Sequence, residues 1–312
     1  MDLLISNAIL SLLFNYNNLT IYNNRDECIN IISKLNSMGY ENDEIEKFSQ
    51  EKFNYLSSLE IIDNVSVEKS FSTIESSSSS YSLKEKNDSN TICNGRFTIV
   101  SNITTYRDDS SIKKVKVIEK VYWPEAPSKC YNDLTIIQYP SYFYIPVDQS
   151  SVSISTSYKN QHYLHREGPD IPYVHEDEEI IVNNQYVGQE ALENCNIKMG
   201  DYIAFQYKLP KTVPENQWRY GNYYTKYYDI MKDIRIVLEA NFNASFDNVI
   251  GGNFITYYAH STENISIDLS SISFSTAAPY ISVNVDVNKK SCFETERIIF
   301  SVDMSNLEVS SC

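Results

Sequence analysis

The sequence predicts a mostly β protein: a large antiparallel β-sandwich with a small N-terminal helical appendage. Three observations carry that prediction. Apolar and polar residues alternate repeatedly from about Asn94 onward, a short stretch of helical periodicity lies before them, and a serine-rich gap separates the two. The implied division is a helical region over residues 1–65, a linker over 66–93 and a β-sandwich domain over 94–312.

The first apolar stretch, residues 3–14, is interrupted by Ser6, Asn7 and Ser11. It has no preceding basic region and no small-x-small site after it. It is too short to span a bilayer and too irregular for an intact signal peptide. It reads as the remnant of a signal segment or as a first helix packed on the body, and whether Met1 is the biological start stays open.

Helical spacing follows. Asp26 can cap a helix whose apolar positions are Ile29, Ile32, Leu35 and Met38, and Gly39 stops it as a left-handed cap. Asn42 can cap a second helix through Ile45 and Phe48, and Ser49 a third with Phe53, Leu56 and Leu59 on one face. Three such helices bury little by themselves, so they pack on the body or bind something. Ser76, Ser77, Ser78, Ser79 and Ser80 then mark a linker or long exposed loop.

In the β region, residues 97–105 and 115–123 form a hairpin across Arg107, Asp108, Asp109 and Ser110. Val115, Val117 and Val121 face one way, Lys114, Lys116 and Lys120 the other. Further strands are expected at 134–139, 151–157, 179–182, 202–209, 233–242, 254–260, 265–269, 281–287 and 297–304. Ten or so short strands in this length suit two packed sheets, with a closed barrel as the alternative.

Composition narrows the function. The net charge of −15 disfavours a nucleic-acid partner, since phosphate binding needs clustered Lys and Arg. The one dense charge run, Glu176, Asp177, Glu178 and Glu179, reads as a solvated loop. Tyrosine is abundant (25) and glycine scarce (8). Tyrosine suits half-buried strand positions, where the ring packs and the hydroxyl reaches water. Six cysteines at 28, 93, 130, 195, 292 and 312 form no C-x-x-C pair, which disfavours structural zinc and favours buried free thiols.

Two clusters are candidate sites. Trp218, Tyr220, Tyr223, Tyr224, Tyr227 and Tyr228 precede a strong strand and could stack a carbohydrate or anchor a protein, or else pack in the core. His162, His165 and His175, with Glu167, Asp170 or Glu176, could supply a mixed nitrogen and oxygen metal site. On a strand, residues three apart point to opposite faces, so convergence would require a loop or helical turn. The nucleophile elbow, the phosphate-binding glycine loop and zinc-peptidase spacing are missing from the sequence. No cofactor, catalytic residue or transmembrane segment is predicted.

The pattern Leu35-x-x-x-Gly39-Tyr40-x-x-x-Glu44-Ile45, followed by Ser49-x-Glu51, resembles the helical leader of an uncharacterised group of Gram-positive bacterial exported proteins. In that group a β-rich region follows. Trp123, Pro124, Pro127 and Asp133 are similar to its tryptophan-bearing strand end, and Tyr258-Ala259-His260 and Ile281-Ser282-Val283 to its later strands. The loop from His162 to Glu179 has no counterpart in it. The resemblance implies export and an all-β body, and carries no catalytic residue. The resulting expectation is a secreted or surface-associated binding or structural protein with an unknown protein or carbohydrate ligand. The alternatives are a secreted hydrolase using cleft carboxylates and a cytoplasmic protein with reduced thiols.

Overall fold

A computed structural model of the protein describes residues 25–73, 83–85, 96–108, 112–127, 130–146, 151–246, 251–261, 267–275, 281–283 and 293–303. The stretch 3–14, the serine run 76–80 and Cys93, Cys292 and Cys312 lie outside the described residues.

Three helices come first: α1 (Arg25–Ser37), α2 (Asn42–Ile45) and α3 (Gln50–Ser58). The strands are β1 (Glu60–Thr73), β2 (Leu83–Glu85), β3 (Arg96–Arg107), β4 (Lys114–Glu125), β5 (Asn132–Gln138), β6 (Phe143–Tyr144), β7 (Val152–Gly168) and β8 (Ile171–Val187). A short helix, α4 (Gln189–Asn194), leads to β9 (Asn196–Lys198), β10 (Tyr202–Lys208), β11 (Val213–Tyr220), β12 (Tyr223–Ala244) and β13 (Gly251–Ser261). A 3-10 turn at Leu269–Ser271 precedes β14 (Ile272–Phe274), β15 (Ile281–Val283) and β16 (Phe293–Asp303).

Two antiparallel sheets dominate, and neither closes into a barrel. The larger runs β2-β1-β3-β4-β12-β7-β8, with β6 and β11 also pairing to β12. The smaller runs β16-β13-β5-β10-β9. The predicted sandwich with a small helical region is what forms.

The inner faces of the sheets meet in one core, which includes Phe97, Val117, Val121, Trp123, Ile154, Ile203, Leu238, Phe254 and Tyr258. Trp123, Asp133, Tyr258 and His260 converge there. The Trp123 Nε1–H donates to the Tyr258 hydroxyl (3.1 Å), which donates to Asp133 Oδ2 (2.6 Å). His260 Nδ1 lies 3.1 Å from the same carboxylate, and the Ser261 N–H donates to it at 3.0 Å.

Each sheet is covered again on its outer face. Ile267, Leu269 and Ile272 pack against Leu134, Ile136 and Tyr257 of the smaller sheet. Leu35, Met38, Leu56 and Leu59 of the helical head pack against Tyr106, Ile118 and Val237 of the larger. Strand β4 is therefore buried on both sides, and its lysine face lies under the head rather than in water. Gly39, at φ +98°, ends α1 where a β-carbon would meet the Asn102 side chain, so this turn admits only glycine without displacement.

Charges under the head are paired. Lys116 Nζ donates to Glu239 Oε1 (2.6 Å) and to the Tyr40 hydroxyl (2.9 Å); that hydroxyl also donates to Glu239 Oε1 (2.6 Å). Lys52 reaches Glu239 Oε2 at 3.4 Å, Lys120 pairs with Glu44, and Arg235 reaches Glu41 (3.0 Å) and Asp43 (3.2 Å). Burial alone would raise the Glu239 carboxyl, but Lys116 and Lys52 outweigh it and hold it well below the usual carboxylate range.

Some elements differ from the sequence reading. Residues 60–73, expected as the end of the head and the start of a linker, form β1, paired along its length with β3. A bulge between Ile61 and Asp63 breaks the alternation that would have announced it. Of the strand expected at 265–269, residues 265–266 lie outside the described residues, 267–268 are irregular and Leu269 opens a 3-10 turn, with Ile267 and Leu269 capping a sheet from outside. Asp26 lies within α1 rather than before it, and Glu41, not Asn42, caps α2. Cys130 is a buried free thiol, pushed up to about 11 first by burial and then by Asp133.

Two stability outcomes follow. Glu239→Ala strands Lys116 in the interior and should cost about 3–5 kcal/mol in urea denaturation, whereas the double variant Lys116→Met/Glu239→Leu should recover most of it. Glu119 lies between the sheets, hydrogen-bonded to Ser101, with Oε1 lacking a partner among the described residues. Burial pushes it from 4.5 up to about 8, against the opposing hydrogen bonds of Ser101 and Thr256. Between those values the folded chain holds a proton that the unfolded chain has lost, so this contribution is complete below 4.5 and disappears as pH rises towards 8. Unfolding of Glu119→Gln, measured across that range, should show the variant gaining stability relative to the parent as pH rises.

Candidate functional site

Strand β12 is 22 residues long, roughly 70 Å of extended chain. Its second half pairs with β4 inside the sandwich, while its first half continues past the end of β4. There it takes β11 as its neighbour on one side and keeps β7 on the other, with β8 beyond. The result is a distal four-stranded sheet, β11-β12-β7-β8. The join is a bulge at Asp233, which has φ +51°, a conformation that aspartate tolerates better than most residues. Asp233 accepts from the Tyr122 hydroxyl (3.0 Å) and pairs with Lys159 (3.0 Å), which holds its carboxyl below the usual range.

The β7–β8 hairpin turns at residues 168–171. Gly168 lies against the Tyr223 ring, where an added β-carbon would sit 2.5 Å from Cδ1, and the Tyr223 hydroxyl donates to Asp170 (2.9 Å). The segment around His162 to Glu179 is therefore strand rather than the expected loop. Residues on opposite faces follow from the register. Asn160, His162, Leu164, Glu176, Glu178, Tyr227 and Asp229 share one face; Tyr163, His165, His175, Asp177, Tyr224, Lys226 and Tyr228 share the other.

The three histidines thus do not converge. His165 and His175 stand directly opposite each other across the hairpin, with ring centroids 5.8 Å apart. His162 points the other way, its Nδ1 2.7 Å from Asp229 and its Nε2 3.2 Å from Glu176. Among the described residues, no group of three or more His, Cys, Asp or Glu side chains is placed to hold a metal ion.

The six aromatic candidates also divide. Trp218, Tyr220, Tyr223 and Tyr227 lie on the His162 face, and Tyr224 and Tyr228 on the His165 face. The Trp218 and Tyr220 rings are nearly parallel (17°), with centroids 6.2 Å apart, and these residues are 55% and 72% exposed. On the other face Tyr228 stacks on Tyr163 (5.1 Å, 10°), and His165 contacts Tyr173 and Tyr224 edgewise or tilted at 5.5 Å. Tyr163 and Tyr173 were not singled out in the sequence. The repeated tripeptide Tyr-x-His, at 163–165 and 173–175, was the available signal.

Carboxylates withdrawn from water lie elsewhere: Glu119, Asp133 and Glu239 are enclosed between layers of the sandwich. No helix among the described residues is long and apolar enough to cross a membrane.

Hydrogen bonding to Asp229 in the first place, and to Glu176, raises His162 above its ordinary value against the effect of burial. The substitution Asp229→Asn should lower the His162 titration midpoint, read from its imidazole resonances by NMR; an unchanged midpoint would show that Asp229 does not hold the proton there.

No protein-family model matches the chain, and no curated protein matches it. Among solved structures the chain is similar to the Clostridium perfringens NetB toxin in its membrane-inserted form. The identity is 9%, covering 77% of this chain and 97% of that one, with a TM-score of 0.21. A likeness of that degree bears on neither the fold nor the function of this chain.

Proposed function

We propose that this is an exported or surface-associated binding protein whose distal sheet holds a carbohydrate. The observation that carries the reading is the exposed, nearly parallel Trp218–Tyr220 pair on a strand that no layer of the described residues covers. An isolated exposed aromatic needs no explanation, whereas two rings held parallel on one exposed strand face offer apolar surface against which a sugar ring can stack. Asn216 and Tyr227 on the same face are hydrogen-bonded to each other (3.0 Å) and supply polar groups for hydroxyls beside the platform. Export rests on the resemblance of the leader and body residues to the exported group.

Wild-type protein titrated against immobilised envelope and extracellular oligosaccharides should show saturable binding, and Trp218→Ala/Tyr220→Ala should weaken it tenfold or more, about 1.4 kcal/mol. Binding that survives the double substitution, or an array with no bound sugar, would overturn the reading. Fractionation of the producing cells with N-terminal sequencing tests export, which fails if the full-length chain is confined to the cytosol.

A further inference from the structure

Strand β8 lies at the end of the larger sheet. It pairs with β7 on one side, and among the described residues no strand pairs with its other edge. At 17 residues it is the longest such open edge among the described residues, and most of its residues are exposed, with none buried. An open edge presents a row of main-chain donors and acceptors to any extended chain of suitable side chains. Four of the large apolar side chains exposed on this protein belong to β8: Tyr173, Ile180, Ile181 and Val187, with Tyr173 68% exposed. They flank the run Glu176, Asp177, Glu178 and Glu179.

That run decides what can occupy the edge. Its carboxylates alternate between the two faces, so both sides of the edge are negative. Glu176 is met by His162, whereas Asp177, Glu178 and Glu179 form no ion pair among the described residues. A second copy of the chain, added antiparallel about this run, would set carboxylate opposite carboxylate, which destabilises a strand pair. A basic strand would set ammonium or guanidinium groups opposite them on both faces.

We propose that the outer edge of β8 is a docking strand for an extended Lys- or Arg-rich segment of a partner protein. The segment adds to the sheet as a further strand, its basic centre over residues 176–179 and its apolar ends near Tyr173 and Ile181. This surface is separate from the Trp218–Tyr220 platform, which lies on β11 at the opposite edge of the distal sheet, so either reading can fail alone.

The test uses the full chain and a fluorescent eleven-residue peptide with four consecutive lysines at its centre and valine-rich ends, followed by anisotropy. Saturable binding is expected. It should fall at least tenfold for the same peptide N-methylated at alternate residues. A similar loss is expected for the protein carrying Glu176→Gln, Asp177→Asn, Glu178→Gln and Glu179→Gln, its fold checked by circular dichroism. Trp218→Ala/Tyr220→Ala should bind the peptide as the parent does. Equal binding of the N-methylated peptide would reduce the contact to charge alone and overturn strand addition. Absence of binding at low salt would overturn the proposal. So would sedimentation showing a dimer that β8 substitutions dissociate, which would assign the edge to a second copy.

Discussion

One strand sets the geometry of the whole molecule. Because β12 is hydrogen-bonded to β4 within the packed sandwich and then continues beyond it, the distal sheet inherits its orientation from the core. Pairing of β12 with β7 is continuous except at the Asp233 bulge, and Lys159 and Tyr122 pin that residue from two neighbouring strands. The distal sheet needs no core of its own while it is templated in this way. That leaves both of its faces available for side chains chosen for something other than packing.

The sandwich itself depends on burying each sheet twice. A strand covered on one face shows clean alternation, and β4 does, yet its second face is also closed off by the helical head. Lysines in that position are tolerable only with carboxylates supplied from the adjacent strand and from the head, as Glu239 and Glu44 do. The head is thus joined to the sheet by apolar packing and by charge matching together, and a register error in either partner would leave a charge unpaired. Glu119 solves the same problem differently, by keeping a proton between the sheets.

Sequence periodicity revealed what the core requires and little of what lies beyond it. The hairpin of β3 and β4, the second half of β12 and strands β5, β10, β13 and β16 of the smaller sheet were legible from their apolar alternation, whereas the three-residue β9 was not. The outer halves of β7 and β8, all of β11 and the start of β12 were not. Residues such as Lys159, His162, Glu176, Asp177 and Arg219 sit on strands whose two faces both meet water, so no apolar alternation exists to be read. The aromatic cluster was visible as composition, but its division between faces was not, since that depends on the strand register. The same holds for the histidines, whose opposed directions follow once residues 162 and 165 are placed on one strand.

The reach of β12 has a dynamic consequence. Its proximal amides, enclosed among four layers, can exchange with solvent only when the sandwich as a whole opens. Its distal amides are held by the same kind of hydrogen bonds but with little apolar surface to lose on separation, so they open locally and at far smaller cost. One continuous strand therefore spans both ends of the stability range, and the Asp233 bulge marks the boundary between them. A ligand seated on the distal sheet would steady the half of the chain that the core leaves free to fluctuate.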